Sequence, residues 1–261
     1  MRIAYRLLFS ALLALPGVAL ADADALWHIV HDQCTAHLAR NGVPTPCAAL
    51  SADGRYAVLK SIEGRMQYLL IPTDRVSGIE SPALLHDGVP DYFARAWDAR
   101  VFMERQYGRA IPREDLALTI NSSYGRSQNQ LHIHISCVTP TLKARLADES
   151  ARIGSTWTPL PGGLGGKPYW ARSVDQASLD GVLPFRDLAA HLPGARADMG
   201  AFTLAAVAVK LPGGRDGFVL LADRARPLAL DFASSEGDVQ DHRCTLLPAV
   251  EQAQESSRPA Q

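Results

Sequence analysis

Two histidines spaced two residues apart are the side chains of this sequence most suited to chemistry. His132 and His134 lie within residues 130–137, where polar and apolar residues alternate strictly. Successive side chains of a β-strand point to opposite faces, so both imidazoles are expected on one face, about 6–7 Å apart, with an apolar face behind them. Such a pair can bind a metal ion, attack a phosphoryl centre, or serve as hydrogen-bonded structural histidines.

The loop before this strand is rich in hydrogen-bonding groups. Residues 121–129 read Asn-Ser-Ser-Tyr-Gly-Arg-Ser-Gln-Asn, a composition typical of turns. Donors next to a histidine strand indicate a phosphate site. Besides the backbone amides of this loop, the candidate substrate contacts are Asn121 and Ser127 and, on position and charge alone, Arg126 and Lys60.

A zinc site is the main alternative for the same histidines. It would need a third ligand, and the sequence contains neither an H-E-x-x-H helix nor a C-x-x-C pair. His86, His191 and His242 are isolated in the sequence. We therefore predict no metal and no other cofactor. Two alternatives to a histidine that attacks a phosphoryl centre stay open: a zinc-dependent periplasmic phosphohydrolase and a non-catalytic nucleotide- or lipid-binding module.

The elements that must position the histidines follow from hydrophobic periodicity and turn residues. Helices are predicted at 24–38, 91–107, 140–153, 185–192 and 236–242, and strands at 56–60, 67–72, 116–120, 130–137, 203–210 and 217–221. Residues 154–169 are predicted to be a loop. This order predicts an α+β fold, an antiparallel meander sheet with helices that a C-terminal β-hairpin region extends.

The N-terminus and the composition indicate an exported globular protein. Of 261 residues, 47% are hydrophobic and 20% charged, and the net charge of −1 argues against nucleic acid as a partner. Arg2 and Arg6 precede an apolar run, Leu7–Ala21, shorter than the roughly 20 residues that span a bilayer. We predict a signal peptide or N-terminal membrane anchor over 1–21, a single domain over 22–250 (core about 50–153, C-terminal extension about 154–250) and a disordered tail over 251–261.

Four cysteines agree with export, because an even number in an exported chain favours two disulfides. Three pairings are open. We favour Cys34–Cys47, which closes a short loop, and this leaves Cys137–Cys244 to tie the C-terminal part of the chain to the histidine strand.

The histidine strand and its loop resemble the histidine-triad family of nucleotide hydrolases and transferases. That family has His-φ-His-φ-His on a strand, where φ is apolar, preceded by an Asn and a Gly-x-Ser/Thr element. Asn121, residues 125–127 and residues 130–135 match in order, with Gln130 in place of the first histidine. The alternative register makes His132 the first histidine, His134 the nucleophile and Ser136 the third member.

Four segments narrow the resemblance to the exported bacterial CDP-diacylglycerol pyrophosphatases, a divergent branch of that superfamily. They are residues 68–72, 80–82, 128–137 and 160–163. The resemblance implies a HIT-like fold and hydrolysis of CDP-diacylglycerol to CMP and phosphatidate in phospholipid metabolism. By resemblance His132 is the nucleophile that forms a nucleotidyl-histidine, with His134 and Gln130 as further catalytic groups. It also implies a substrate at the membrane surface and a location at the periplasmic side of the inner membrane, or in the periplasm if the signal is cleaved.

Overall fold

The structure is a computed structural model that describes residues 22–248. The predicted signal or anchor over 1–21 and the predicted tail over 251–261 lie outside these residues. The described strands are β1 (Ala49–Leu50), β2 (Tyr56–Lys60), β3 (Tyr68–Pro72), β4 (Leu116–Ile120), β5 (Ile133–Val138), β6 (Thr158–Pro159), β7 (Trp170–Val174), β8 (Phe202–Leu211), β9 (Arg215–Arg224) and β10 (Gln240–Asp241). The helices are α1 (Ala25–His28) and α2 (Ala36–Asn41), joined by a π-helical segment (Ile29–Thr35), then α3 (Tyr92–Asp98), α4 (Val101–Tyr107), α5 (Pro140–Glu149), α6 (Pro184–His191) and α7 (Ser235–Val239).

These ten strands form one sheet in the order β1-β2-β3-β5-β4-β8-β9-β7-β6, and β10 lies beside the end of β5. Every pairing is antiparallel. The C-terminal hairpin β8–β9 joins this sheet because Leu204 of β8 pairs with Ile120 of β4. The predicted α+β fold, its antiparallel sheet and its C-terminal extension are confirmed.

One face of the central strands is fully covered. Leu131, Ile133 and Ile135 belong to the same buried cluster as Phe93 and Trp97 of α3. This is the apolar face predicted from the alternation of the histidine stretch. It fixes the direction of the neighbouring side chains, since successive residues must then point to the other side of the sheet.

The opposite face is covered in two separate places. Val30 and Cys34 of the N-terminal helical region pack with Leu69 and other residues of β2 and β3. A second cluster joins Leu142 of α5 to strands β8 and β9. Leu69 is the cross-strand partner of His134, so the histidines project from the part of this face that lies between the two clusters.

Several element boundaries differ from the sequence predictions. The helix predicted over 91–107 is interrupted between Asp98 and Val101, and the histidine strand begins at Ile133 instead of residue 130. Strand β7 was not predicted. The helix predicted over 236–242 is the short α7 followed by β10. The sheet is therefore larger than predicted, and its polar face is built from more distant segments.

Both predicted disulfides are present, with S–S distances of 2.01 Å for Cys34–Cys47 and 2.04 Å for Cys137–Cys244. Two structural disulfides are typical of proteins that fold outside the reducing cytosol. None of the helices within residues 22–248 combines the length and the apolar composition needed to cross a bilayer.

Candidate active site

A cavity of about 540 Å³ opens on the sheet face that carries the histidines, a size typical of small-molecule sites. His132 and His134 both line it. Its lining is divided chemically. The polar side includes Asn121, Ser127, Gln128, Ser234, Glu236 and His242, and the apolar side includes Ala25, Leu26, Ile29, Leu59, Ile62 and Leu69.

His132 is held in one tautomer by the backbone. Its Nδ1 lies 2.7 Å from the carbonyl oxygen of Gln130, which can only accept, so Nδ1 carries the proton and donates it. No described residue hydrogen-bonds Nε2, which keeps the lone pair. Burial, and next the charge of His134, lower the pKa of His132 to about 4. The imidazole is therefore neutral and nucleophilic at ordinary pH.

His134 has a carboxylate behind it. Its Nδ1 lies 3.0 Å from Oε1 of Glu236, and its Nε2 is buried with no hydrogen-bond partner among the described residues. Burial raises the pKa of Glu236, but hydrogen bonds from His134, Gln67 and Asn121 outweigh it and hold the pKa at about 2. An ionised Glu236 makes Nδ1–H the donor and directs Nε2 of His134 away from the carboxylate.

The carboxylate of Glu236 is the centre of a network from four segments of the chain. Gln67 Nε2 donates to Oε1 over 3.0 Å, and Nε2 of His242 lies 3.4 Å from the same oxygen. Asn121 Nδ2 donates to Oε2 over 3.0 Å, and Asn121 Oδ1 accepts from the backbone N–H of Glu236 over 3.1 Å. Asn121 therefore positions Glu236 in addition to lining the cavity.

His242 is placed by the turn between β2 and β3. Gly64 in this turn has a φ of +58°, and a Cβ there would lie 2.5 Å from the carbonyl oxygen of His242. The close approach requires glycine. The β2–β3 turn and the segment before Cys244 thus form one wall of the cavity together.

Besides Asn121, two further predicted substrate contacts lie at the cavity. Ser127 lines it, as does Lys60. Lys60 Nζ already donates to the carbonyl oxygens of Ser61 and Gly64, over 2.7 and 3.0 Å, so it would have to exchange these acceptors for a phosphate. Burial lowers the pKa of Lys60.

Gln130 does not lie where a catalytic group would have to lie. Its side chain is completely buried and hydrogen-bonds to the backbone at the end of β3 and in the segment that follows it. Nε2 donates to the carbonyl oxygens of Pro72 and Asp74, over 2.9 and 2.8 Å, and Oε1 accepts from the N–H of Val76. The predicted contact of Gln130 with a leaving oxygen is therefore not supported, because Gln130 precedes the regular strand and its amide is fully engaged.

Arg126 is likewise directed away from the cavity. Its guanidinium donates to Oε2 of Glu80 over 2.5 Å and lies against Gly78, where a Cβ would come within 2.0 Å of the guanidinium. The predicted phosphate contact of Arg126 is not supported. Its ion pair instead fixes the loop that carries Ser127.

Three polar residues of the site were missed from the sequence. Glu236 lies in a short helix, His242 in a turn and Gln67 directly before β3, with no local spacing that marks them. Within residues 22–248, no three His, Cys, Asp or Glu side chains converge in an arrangement that could hold a metal ion. The described residues thus supply a histidine, a histidine–carboxylate pair and amide donors.

Comparison with known proteins gives two concordant findings. The family described as CDP-diacylglycerol pyrophosphatase matches residues 21–248, which include every residue of the site. A curated CDP-diacylglycerol pyrophosphatase from Yersinia pestis is 49% identical over 228 residues, covering 87% of this chain and 86% of the relative.

Proposed function

The chain belongs to the CDP-diacylglycerol pyrophosphatase family, and we propose that it hydrolyses the pyrophosphate bond of CDP-diacylglycerol through a cytidylyl-histidine on His132. The products are CMP and phosphatidate. The observation that carries this proposal is the hydrogen bond from His132 Nδ1 to the carbonyl of Gln130. It leaves the lone pair on Nε2 of a neutral imidazole in the cavity.

The first step is in-line attack of His132 Nε2 on the cytidine-side phosphorus. A P–N bond forms, the bond from this phosphorus to the bridging oxygen breaks, and the oxygen leaves with phosphatidate. Phosphoryl transfer of this kind depends on positioning and hydrogen-bond donors more than on further covalent chemistry. Ser127 and the backbone amides of residues 122–129 are the candidate donors to the phosphoryl oxygens.

His134 acts on the leaving group. Its Nδ1 donates to Glu236, and in the imidazolium form Nε2–H donates to the bridging oxygen as negative charge develops there. The carboxylate stabilises that imidazolium, as the aspartate of a catalytic triad does. Gln130 stands in place of the family's first histidine but does not assist the leaving group, because its amide hydrogen-bonds to the carbonyl oxygens of Pro72 and Asp74.

Water completes the cycle. It attacks the phosphorus of the cytidylyl-histidine, the P–N bond breaks, the lone pair returns to Nε2, and the proton of the water passes to His134 or to solvent. The alternative register, in which His134 attacks, has less support. Its Nδ1 is paired with the carboxylate of Glu236, which favours the imidazolium form, and in that form Nε2 carries a proton and has no lone pair with which to attack.

The divided lining of the cavity suits an amphipathic substrate. The pyrophosphate lies against the histidines and amide donors, and the apolar wall formed by Leu26, Ile29 and Leu59 accepts apolar parts of the lipid. With the two disulfides, this supports a location at the periplasmic side of the inner membrane, where the substrate is embedded.

The test is to incubate the full chain with CDP-diacylglycerol labelled in the cytidine phosphate, with and without a chelator. We expect CMP release that the chelator does not change, and a protein-bound label that is stable to alkali and labile to acid, as a phosphoramidate is. His132→Ala should lower turnover at least about a thousandfold and abolish the label. His191→Ala, an exposed position on α6, is the matched control.

The two alternatives give different outcomes. A zinc-dependent hydrolase would lose activity in the chelator and regain it with added zinc. A binding module would bind the nucleotide lipid without releasing CMP. An active His132→Ala variant would eliminate the covalent route.

A further inference from the structure

The segment between β9 and α7 carries two of the three most exposed large apolar side chains within residues 22–248. Leu228 is fully exposed and Leu230 is 80% exposed, and Phe232 is also exposed. We call residues 226–232 the rim hairpin. Single exposed leucines are common, but three apolar side chains within five residues, all facing water, indicate a contact surface.

The rim hairpin is rigid at its base. The backbones of Arg226 and Asp231 exchange hydrogen bonds of 2.7 and 3.2 Å. The Arg226 side chain donates to Asp223 over 3.0 Å and is also paired with Asp231. The loop that carries the apolar side chains is therefore held in one conformation, and these side chains stay exposed.

Leu230 occupies a backbone conformation that leucine disfavours. Its φ is +56° and its ψ is +25°, the left-handed region in which Gly or Asn is usual. A branched apolar residue at this position lowers the stability of the folded protein in two ways. Its backbone conformation is unfavourable, and its apolar side chain stays exposed to water. Such an outlier points to a role outside the folding of the hairpin itself.

The rim hairpin is joined directly to the cavity. The carbonyl oxygen of Phe232 accepts from Ser122 Oγ over 2.6 Å, and a Cβ at Gly125 would lie 2.8 Å from the same oxygen. Gly125 and Ser234, on the two sides of this contact, both line the cavity. A surface that the hairpin touches is therefore close to the opening through which substrate enters.

The chain enters the described fold at the other end of the same loop. The backbone N–H of Asn129 donates to Ala23 over 2.6 Å, and Gln128 Nε2 donates to the carbonyl of Asp22 over 2.8 Å. The sequence just before Asp22 is the apolar run Leu7–Ala21. The loop 122–129 thus contacts Asp22, the residue that follows the apolar run in the sequence, on one side and the rim hairpin on the other.

We infer that the rim hairpin docks on the surface of a lipid bilayer, with Leu228, Leu230 and Phe232 entering its apolar boundary beside the cavity. The lipid nature of the partner rests on the proposed function and on the position of Asp22, which follows the apolar run Leu7–Ala21 in the sequence and lies against the same loop. Docking brings the cavity mouth to the plane of the headgroups, so the pyrophosphate of the lipid can reach His132 while most of each acyl chain stays in the membrane.

The experiment labels the hairpin itself. Leu228→Cys in the full chain, with both disulfides intact, is modified with an environment-sensitive fluorophore and mixed with vesicles of phosphatidylcholine and phosphatidylglycerol in equal amounts, without CDP-diacylglycerol. We expect a blue shift and increased emission. The same label at Val43→Cys, another exposed apolar position, should show neither. Because no substrate is present, this result is independent of the proposed activity.

Three outcomes overturn the proposal. Equal responses at positions 228 and 43, or no response at 228, would mean that the rim hairpin does not meet lipid. A response at 228 that depends on protein concentration and not on vesicles would mean that the surface pairs two copies of this chain.

A second variant separates docking from folding and from chemistry. Leu230→Asn keeps a residue that tolerates the left-handed conformation, so its melting temperature should equal or exceed that of the wild type. We expect about tenfold lower kcat/KM on vesicle-embedded CDP-diacylglycerol, as lost burial of one leucine implies, and unchanged kcat/KM on a short-chain analogue dispersed as monomers. Equal loss on both substrates, or no loss on vesicles, would contradict lipid docking.

Discussion

Oε1 of Glu236 lies 3.0 Å from Nδ1 of His134, on the side of the ring away from Nε2, which has no hydrogen-bond partner within residues 22–248. The carboxylate is ionised at every ordinary pH, because its hydrogen bonds hold its pKa at about 2 although burial raises it. The pair therefore resembles the base and orienting acid of a catalytic triad, and the proposed nucleophile, His132, is a separate residue.

Glu236→Gln tests this role of positioning and charge. The variant keeps the shape of the side chain but removes the negative charge that stabilises an imidazolium, so kcat should fall about a hundredfold with little change in KM. A cytidine monophosphate ester of p-nitrophenol, whose leaving group needs no proton, should be hydrolysed by the variant at nearly the wild-type rate.

The control for that variant is Glu149→Gln on α5, whose side chain pairs with Arg145 away from the cavity. It should leave both substrates unaffected. An equal loss of activity on the two substrates in Glu236→Gln would indicate that Glu236 only maintains the fold, and the proposed assistance to the leaving group would be wrong.

The pH dependence of adduct formation tests the state of His132. Burial lowers its pKa to about 4, so the neutral nucleophile persists as the pH falls and is lost only near pH 4. Rapid-quench measurement of the labelled adduct should give a rate constant whose acid limb lies near pH 4. An acid limb centred near 6.5, the ordinary value for histidine, would contradict a buried, neutral His132.

Gln130 is expected to matter for stability and not for chemistry. Gln130→Ala would leave the carbonyls of Pro72 and Asp74 and the N–H of Val76 without their buried partner. We expect a loss of about 2–4 kcal/mol in the free energy of unfolding, measured by urea denaturation, with kcat of the folded protein largely retained. Gln33→Ala, at an exposed position, should change neither quantity. A stable variant with greatly reduced kcat would restore a catalytic role for Gln130.

The part of the site that could be predicted is the part that one local pattern encodes. Alternation over residues 130–137 placed His132 and His134 on one face and Ile133 on the other, and the structure has the same division at these three residues. The loop composition correctly placed Asn121 and Ser127 at the cavity. Short-range periodicity is sufficient there, because a strand determines the face of each side chain.

The rest depends on contacts between distant segments. Glu236 meets Asn121 across 115 positions of the chain, and no local spacing announces such a contact. The charge of Arg126 suggested a phosphate contact, but an acidic partner in a remote loop, Glu80, neutralises it. A residue type specifies what a side chain can bind, and only tertiary structure decides which partner it meets.

Asp223 predicts an unusual dependence of stability on pH. It is fully buried beneath the rim hairpin, where burial and the charge of Asp231 raise its pKa to about 6. A carboxyl group with a raised folded-state pKa favours the protonated folded state, so its contribution to stability decreases as the pH rises from about 4 through 6.

Asp223→Asn should therefore raise the melting temperature at pH 7.5 and have little effect at pH 4.5. The exposed Asp198, which pairs with Arg224, supplies the control, and Asp198→Asn should show no such difference between the two pH values. Greater destabilisation of Asp223→Asn at pH 7.5 than at pH 4.5 would show that the ionised carboxylate is needed by Arg226.

The two disulfides should contribute unequally to stability and to the site. Cys137–Cys244 closes a separation of 107 residues and Cys34–Cys47 one of 13. In the loop-entropy account, such loops contribute about 4.7 and about 3 kcal/mol, respectively. Replacing both cysteines of the longer loop with alanine should thus cost about 1.7 kcal/mol more than the same change in the shorter one, measured as the free energy of unfolding in urea. The longer disulfide also holds β10 and His242 beside the end of β5, so its removal should lower kcat/KM in protein that is still folded. Removal of Cys34–Cys47, which lies in the N-terminal cluster, provides the comparison. If the shorter loop costs more stability, native-state contacts, and not the entropy of the unfolded chain, dominate the effect.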